Sequence, residues 1–276
     1  MSIKTMMVVL DADADNDRLI RSAIGWAGHL QAGLIGMAAY QDIPIVYNDG
    51  FVGADIIRED QAAIDRKIAA TRERFLSLAG DTSLRAEFRS AIVSLSLASY
   101  VARQARIADL LVARPFEAHR RISRSVALNA NDLVIHAGRP LLMLPDTTDF
   151  VPPKAALIAW KDSRESRRAV CDALPMLRSL ERVVVAALAE GDTLQETEEA
   201  AADVVSWLGR HGIEAVPRTA RRTGDVAGHL AILCREQNID LLVGGAYAHS
   251  RLQEFILGGV TRDLLMTPPC CTLLSH

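Results

Sequence analysis

Asp109-Leu110-Leu111-Val112 recurs, residue for residue, as Asp240-Leu241-Leu242-Val243 in the other half of the chain. Each copy follows a helical stretch, precedes a loop, and leads on to a proline and a closing apolar run. Those runs are Pro140-Leu141-Leu142-Met143-Leu144 and Pro269-Cys270-Cys271-Thr272-Leu273-Leu274. Each half also opens alike, with Met6-Met7-Val8-Val9-Leu10 before Asp11 and Ala156-Leu157-Ile158-Ala159-Trp160 before Lys161. A repeat on this scale reads as one domain written twice. Short, nearly continuous apolar runs mark strands covered on both faces, as in a parallel sheet. Each half fits five strands, near 5–10, 33–39, 85–91, 109–114 and 140–145, then 155–160, 182–188, 213–219, 240–245 and 270–275. Helical patterns alternate with them, which implies βαβ crossovers and a doubly wound sheet. The fold expected is α/β: two tandem doubly wound domains, 1–146 and 154–276, each a five-stranded parallel sheet flanked by helices and paired by a pseudo-twofold axis.

Three helices are legible by period. Glu59 to Leu78 sets Ile64, Ile68, Phe75 and Leu76 near one face. Ser163 to Leu177 opens on a serine cap candidate with Glu165 in the first turn. Thr223 to Gln237 aims Val226, Leu230, Ile232 and Leu233 at the sheet. The stretch from Asp146 to Pro153 has no helical period and two adjacent prolines, so it reads as a stiff linker. Gln41 to Asp55 reads as a loop over the sheet's carboxyl edge. Its Ile43, Ile45, Val46, Tyr47 and Phe51 suit covering a neighbouring surface better than gating a ligand.

Composition narrows the class. The chain has 276 residues, half of them apolar, which suits two domains with real cores. A net charge of −3 supplies no field for nucleic acid or an anionic membrane. No run approaches the ~20 apolar residues of a membrane span, and MSIKTMMVVLDADAD is too short an apolar lead for a signal peptide. A soluble, cytoplasmic protein is expected. Cys171, Cys234, Cys270 and Cys271 have no metal-ligand spacing and read as buried, reduced thiols. The acidic run Asp11, Asp13, Asp15 and Asp17 lacks the glycine and closing glutamate of a calcium loop, so no metal is expected.

In an open parallel sheet, ligands sit beyond the carboxyl ends of the strands. The fourth strand of the second half ends in Gly244-Gly245-Ala246-Tyr247-Ala248-His249-Ser250-Arg251. Leu252 to Leu257 then lead to Gly258-Gly259-Val260-Thr261 and an amphipathic helix to Met266. Small residues at both ends of such a loop let backbone N–H groups approach an anion, and the helix N-terminus adds donors and a dipole. Thr261 adds a hydroxyl. The same pattern also describes a glycine-permitted turn with a capped helix.

That run, with its glycines at both ends, is similar to the loop of universal stress proteins. Members that bind ATP carry Gly, two residues, Gly, nine residues, Gly and then Ser or Thr. The spacing here is kept in full at Gly245, Ala248, Gly258 and Gly259, with Ala248 in place of a glycine and Gly259 in place of the hydroxyl residue. Ala159-Trp160-Lys161-Asp162-Ser163-Arg164-Glu165 resembles the family's first strand-to-helix turn. Lys161 falls where the family has an adenosine-contacting aspartate, with Asp162 one place later. The resemblance runs through the chain and is strongest from 155 to 276. It implies a stress-response module whose second domain binds ATP or another adenine nucleotide. The residues implied are Ala159, Trp160, Lys161, Leu188, Gly244, Gly245, Ala248, Gly258, Gly259, Val260 and Thr261. It also implies self-association through the closing strands, satisfied at least partly within one chain and leaving room for a homodimer.

The first half departs further. After Val112 come Ala113, Arg114, Pro115 and Phe116, then His119, Arg120, Arg121 and Arg124, with no glycine where the loop should be. Pro115 removes a donor that a phosphate cradle would use. This half reads as a structural or regulatory copy, its arginines a solvated face or a side-chain grip on an anion. No catalytic constellation stands out among the seven scattered histidines, and neither a nucleophile elbow nor a lysine-bearing Walker loop is present. The chain reads as a binder rather than an enzyme, with slow ATP hydrolysis left open. The alternative is a stress-linked scaffold whose two sites are vestigial.

Overall fold

A computed structural model describes residues 2–41, 54–94, 96–115, 130–145, 149–222, 224–247 and 259–276. The two repeated aspartates do the same work in it. Asp109 Oδ2 accepts from the N–H groups of Lys4 and Thr5 at 2.8 and 3.0 Å, and Asp240 Oδ2 from those of Lys154 and Ala155 at the same distances. Each carboxylate thereby ties the fourth strand of its half to the start of the first. The half-chains run β1 (Thr5–Leu10), β2 (Gly33–Gln41), β3 (Ala86–Val93), β4 (Leu110–Ala113), β5 (Leu141–Met143), and β6 (Ala155–Trp160), β7 (Arg182–Ala189), β8 (Ala215–Arg221), β9 (Leu241–Gly245), β10 (Cys271–Ser275).

All pairings within a half are parallel, and the halves join antiparallel through β5 and β10, with Leu142 opposite Leu273. One ten-stranded sheet results, ordered β3-β2-β1-β4-β5-β10-β9-β6-β7-β8. Its palindromic order is the pseudo-twofold pairing expected from the repeat. A twofold through that seam sends the carboxyl ends of the two halves to opposite edges of the sheet.

Period-two alternation divides each strand between two cores. Met6, Val8 and Leu10 pack with α1 (Asp17–Leu30) and α2 (Ala54–Gly80), while Val183, Val185 and Ala187 pack with α5 (Arg164–Leu177) and α6 (Leu194–Arg210) on that same face. The opposite face holds Met7, Val9, Leu157 and Leu242 against α3 (Leu97–Gln104), α4 (Ala130–His136), α7 (Val226–Glu236) and α8 (Gly259–Met266). A single 3-10 turn, Ala105–Ile107, follows α3.

Helix starts follow their caps. Ser163 Oγ accepts from Ser166 N at 3.2 Å, and Asp225 accepts from Ala227 and Gly228 N–H groups, so α7 begins at Val226 rather than Thr223. Two expected core residues are corrected. Leu76 is 38% exposed and Ile232 49% exposed, because the buried stripe of α2 runs through Ile64, Thr71, Phe75, Leu78 and Ala79, and that of α7 through Leu230, Leu233 and Cys234. A third correction concerns Cys171, which lies exposed on α5. Cys270 and Cys271 do face opposite cores, and burial pushes the Cys271 thiol up to about 11.

Phe150 of the linker closes the join. Its ring lies 5.6 Å from Trp26 and 6.3 Å from His29, in a notch on α1 that Gly25 leaves open. A Cβ on Gly25 would stand 2.3 Å from that ring. His29 also meets Ser179 of the second half, Nε2 to Oγ, at 3.3 Å. Residues 42–53 of the apolar loop and Asp146, Thr147 and Thr148 of the linker lie outside the described residues. No helix among the described residues is long and apolar enough to cross a membrane.

Candidate functional site

The strand order places a topological switch between β6 and β9, whose following helices α5 and α8 lie on opposite faces of the sheet. Gly245 closes β9 against the first turn of α5. A Cβ there would stand 2.5 Å from Ser166 N and 2.6 Å from the Glu165 carbonyl carbon, so glycine alone fits. Beneath it Glu165 is 6% exposed, with Arg164 Nη2 at 3.1 Å from Oε1. Burial pushes the Glu165 carboxyl up, but its own backbone N–H, the Ser163 hydroxyl and Arg164 together hold it below the ordinary carboxylate value.

Beyond Gly245 the backbone turns sharply. Ala246 N donates to Ser275 O at 2.8 Å, and His276 Nδ1 lies 3.0 Å from Ala246 O. Tyr247 takes a φ of 59°, a left-handed conformation that costs a tyrosine about 1 kcal/mol or more. Its N–H donates to Thr261 Oγ1 at 3.3 Å, and Thr261 is buried. The threonine predicted to offer its oxygen to a ligand thus joins the two arms of the loop. Gly259 begins α8, and among the described residues a Cβ there would meet only Asp263 Oδ2, at 4.0 Å. At Gly244 a Cβ would make ordinary contacts with Leu274 and Ala159. Val260 packs partly buried against the α7/α8 core.

The remaining predicted residues divide. Ala159 and Trp160 end β6 on opposite faces, with the Trp160 ring packed on the α5/α6 core and its buried Nε1 without a partner among the described residues. Leu188 is half-buried near the end of β7. Lys161 is turned toward β7, with Nζ 3.7 Å from Glu190 Oε1, and Arg222 Nη1 reaches the same oxygen at 2.6 Å. Neither Glu190 nor Arg222 carries a motif signal; only their places just past β7 and β8 could have pointed to them. Ala248, His249, Ser250, Arg251 and Gly258 lie outside the described residues.

The match to known proteins follows the same ground. A model of the universal stress protein family matches residues 154–276. Residues 154–276 are a universal stress protein domain. A universal stress protein from Archaeoglobus fulgidus resembles the whole fold, with a TM-score of 0.75 at 11% identity, covering 100% of this chain and 97% of that one. A functionally unknown protein from Pseudomonas aeruginosa follows at a TM-score of 0.57 and 16% identity, covering 99% and 92%. Both solved structures span the two halves, so the tandem arrangement is shared. No protein of curated function matches the chain in sequence.

The first half carries this fold with a different edge. Arg114 stands where the universal stress protein domain has Gly245, and its Nη2 donates to Asp15 O at 2.6 Å while its buried Nε has no partner among the described residues. It lines a cleft of about 430 Å³ together with Asp15, Asp17, Arg18, Arg21 and Asp149. Asp11 is buried in a local turn. Its N–H and carbonyl are bonded to Asn16, and its Oδ1 accepts from Asp13 N. Asp13 in turn receives Lys67 Nζ at 2.6 Å and the Tyr40 hydroxyl at 3.2 Å. His119, Arg120, Arg121 and Arg124 lie outside the described residues. Among the described residues no three His, Cys, Asp or Glu side chains converge to hold a metal ion.

Proposed function

We propose that the universal stress protein domain binds an adenine nucleotide such as ATP across the carboxyl ends of β6 and β9, acting as a ligand-sensing module without catalysis. One observation carries this reading. The two ends of the spaced glycine loop, 245–247 and 259–261, meet at the Tyr247–Thr261 hydrogen bond of 3.3 Å. That contact brings the α8 N-terminus, whose first-turn N–H groups have no partner within the helix, beside the switch between β6 and β9. The setting proposed is cytoplasmic, in a stress response, with the ligand changing the surface offered to a protein partner rather than to nucleic acid or membrane.

Thermal unfolding of the full chain with and without millimolar ATP tests this. ATP is expected to raise the midpoint, Gly258→Glu to abolish the rise, and Gly259→Ser to enlarge it by restoring a hydroxyl at the start of α8. An unchanged midpoint in the unaltered chain sinks the reading.

A second reading, a scaffold with two vestigial sites, is favoured by Arg114 in the glycine position of the first half and by the Lys161–Glu190 ion pair in the second. Mass spectrometry of small molecules released from protein purified without added nucleotide separates the two. Stoichiometric nucleotide excludes the scaffold.

A further inference from the structure

The carboxyl edge of the second half carries charge that the glycine loop does not use. Lys161, Glu190 and Arg222 stand just past the ends of three neighbouring strands, β6, β7 and β8. Both cations converge on one carboxylate oxygen, at 3.7 and 2.6 Å, and keep about half of their side-chain surface exposed. Arg222 is anchored by its backbone N–H, which donates to Ala189 O at 2.8 Å, so its guanidinium runs alongside β7. The hydrogen bond from Arg222 and the charge of Lys161 hold the Glu190 carboxyl below the ordinary carboxylate value. Glu190 is therefore ionised at neutral pH and satisfied from within the protein. The nearby Arg221 bonds Gly191 O and lies 3.5 Å from Asp192. Asp162 is engaged by Arg167.

A nucleotide bound at such an edge lies across the strand ends, its phosphates at a glycine turn and helix N-terminus and its ribose over a neighbouring strand. Side-chain charge at the ribose decides which ribose is accepted. A carboxylate takes the free hydroxyls, whereas an arginine nearby accommodates a phosphate on the ribose. Here the glycine turn ends β9 and the cations cluster around the end of β7, two strand spacings or about 10 Å away. The only carboxylate among the three is held by both cations. Lysine and arginine have no acceptor to offer a ribose diol, while a phosphate dianion can take both, the guanidinium in bidentate fashion.

We infer that the second half selects a nucleotide phosphorylated on its ribose, at the 2′ or 3′ position, over one with a free ribose. The inference rests on the nucleotide reading of the site and names its ligand class. On binding, the ribose phosphate replaces the Glu190 carboxylate as the partner of Arg222 and Lys161.

Calorimetric titration of the full chain with adenosine 2′,5′-bisphosphate, adenosine 3′,5′-bisphosphate and ADP tests it, since all three carry two phosphates. At least one bisphosphate is expected to bind about ten-fold or more tightly than ADP, the scale of a charge-assisted hydrogen bond. Arg222→Gln and Lys161→Gln are each expected to erode that ratio by a similar factor. Glu190→Gln is expected to raise it, because the cations lose their internal partner. Equal binding of all three, or tighter binding of ADP, overturns the inference and leaves the nucleotide reading standing. Binding of none of them, nor of ATP, overturns both.

Discussion

The two halves share a fold and a sheet but differ at one position that governs the edge. Where β9 ends in Gly245, α5 closes to within 2.5 Å of where a Cβ would sit; where β4 ends, Arg114 stands and a cleft of about 430 Å³ opens. The loss of the glycine loop from the first half is thus accompanied by a repacked helix entrance and not by a changed loop alone. Charge diverges in parallel. In the first half Asp13 is met by Lys67 from α2, while in the second Lys161 and Arg222 surround Glu190. The lesson is that the scaffold tolerates opposite chemistry at its two carboxyl edges, because the strands and their aspartate ties are unaffected.

The sharpest way to break the comparison is to exchange the deciding residue. Gly245→Arg must push α5 off the sheet, and a loss of roughly 3 kcal/mol or outright misfolding is expected. Arg114→Gly removes one hydrogen bond, to Asp15 O, beside an open cleft and is expected to cost about 1 kcal/mol. Urea unfolding of both variants reads the difference; similar losses in the two would show that the halves pack alike after all.

Removing the aspartate ties should instead affect the halves equally. Asp109→Ala and Asp240→Ala each free two backbone N–H groups at a strand start, and roughly 2 kcal/mol is expected from each. A large inequality in urea midpoints would mean that one half is held by something the repeat does not share.

The smallest contrast lies in the first-turn carboxylates of α1 and α5. The Arg74 guanidinium holds Asp17 below the ordinary value of 3.8, whereas Glu165, ordinarily 4.5, is held down against burial by its own backbone N–H, Ser163 and Arg164. A lowered native pKa means that each group's contribution is complete above its unfolded value and is lost as pH falls through its native one. Glu165→Gln is therefore expected to destabilise at neutral pH and to converge on the unaltered chain below about pH 4, nearly independent of salt. Asp17→Asn should show a smaller gap, and one that about 1 M salt closes. Stability measured along a pH series at two salt concentrations checks both.

Much of this was legible from residues. The strands fall within about two residues of their expected ends; the inner ones are nearly continuous apolar runs, as strands covered on both faces must be, while the edge strands β3 and β8 carry Glu87, Arg89, Arg218 and Arg221. Leu76 and Ile232 were misplaced for the opposite reason: a helix tolerates an exposed apolar residue, and a short window cannot fix the phase of its stripe. The spaced glycines marked the candidate site, yet nothing local said that Gly245 answers to Ser166 or that Arg114 reaches Asp15, 99 residues upstream. Phe150 gave no warning of its role either, since a lone aromatic in a proline-rich linker has no period to read. Such contacts are set by how helices meet the sheet, which pattern alone does not record.

The antiparallel seam between β5 and β10 has a consequence for how such a chain can change. In an assembly of two identical subunits, every substitution arrives twice, once on each side of the axis. An arginine at the β9 end would then disrupt both copies at once. Joining the copies in one chain removes that constraint, so a replacement at one edge need not be matched at the other. Any ligand taken at the Gly245 edge meets one such edge per molecule, and the two edges face apart. One ligand per chain is the stoichiometry that the covalent join writes in.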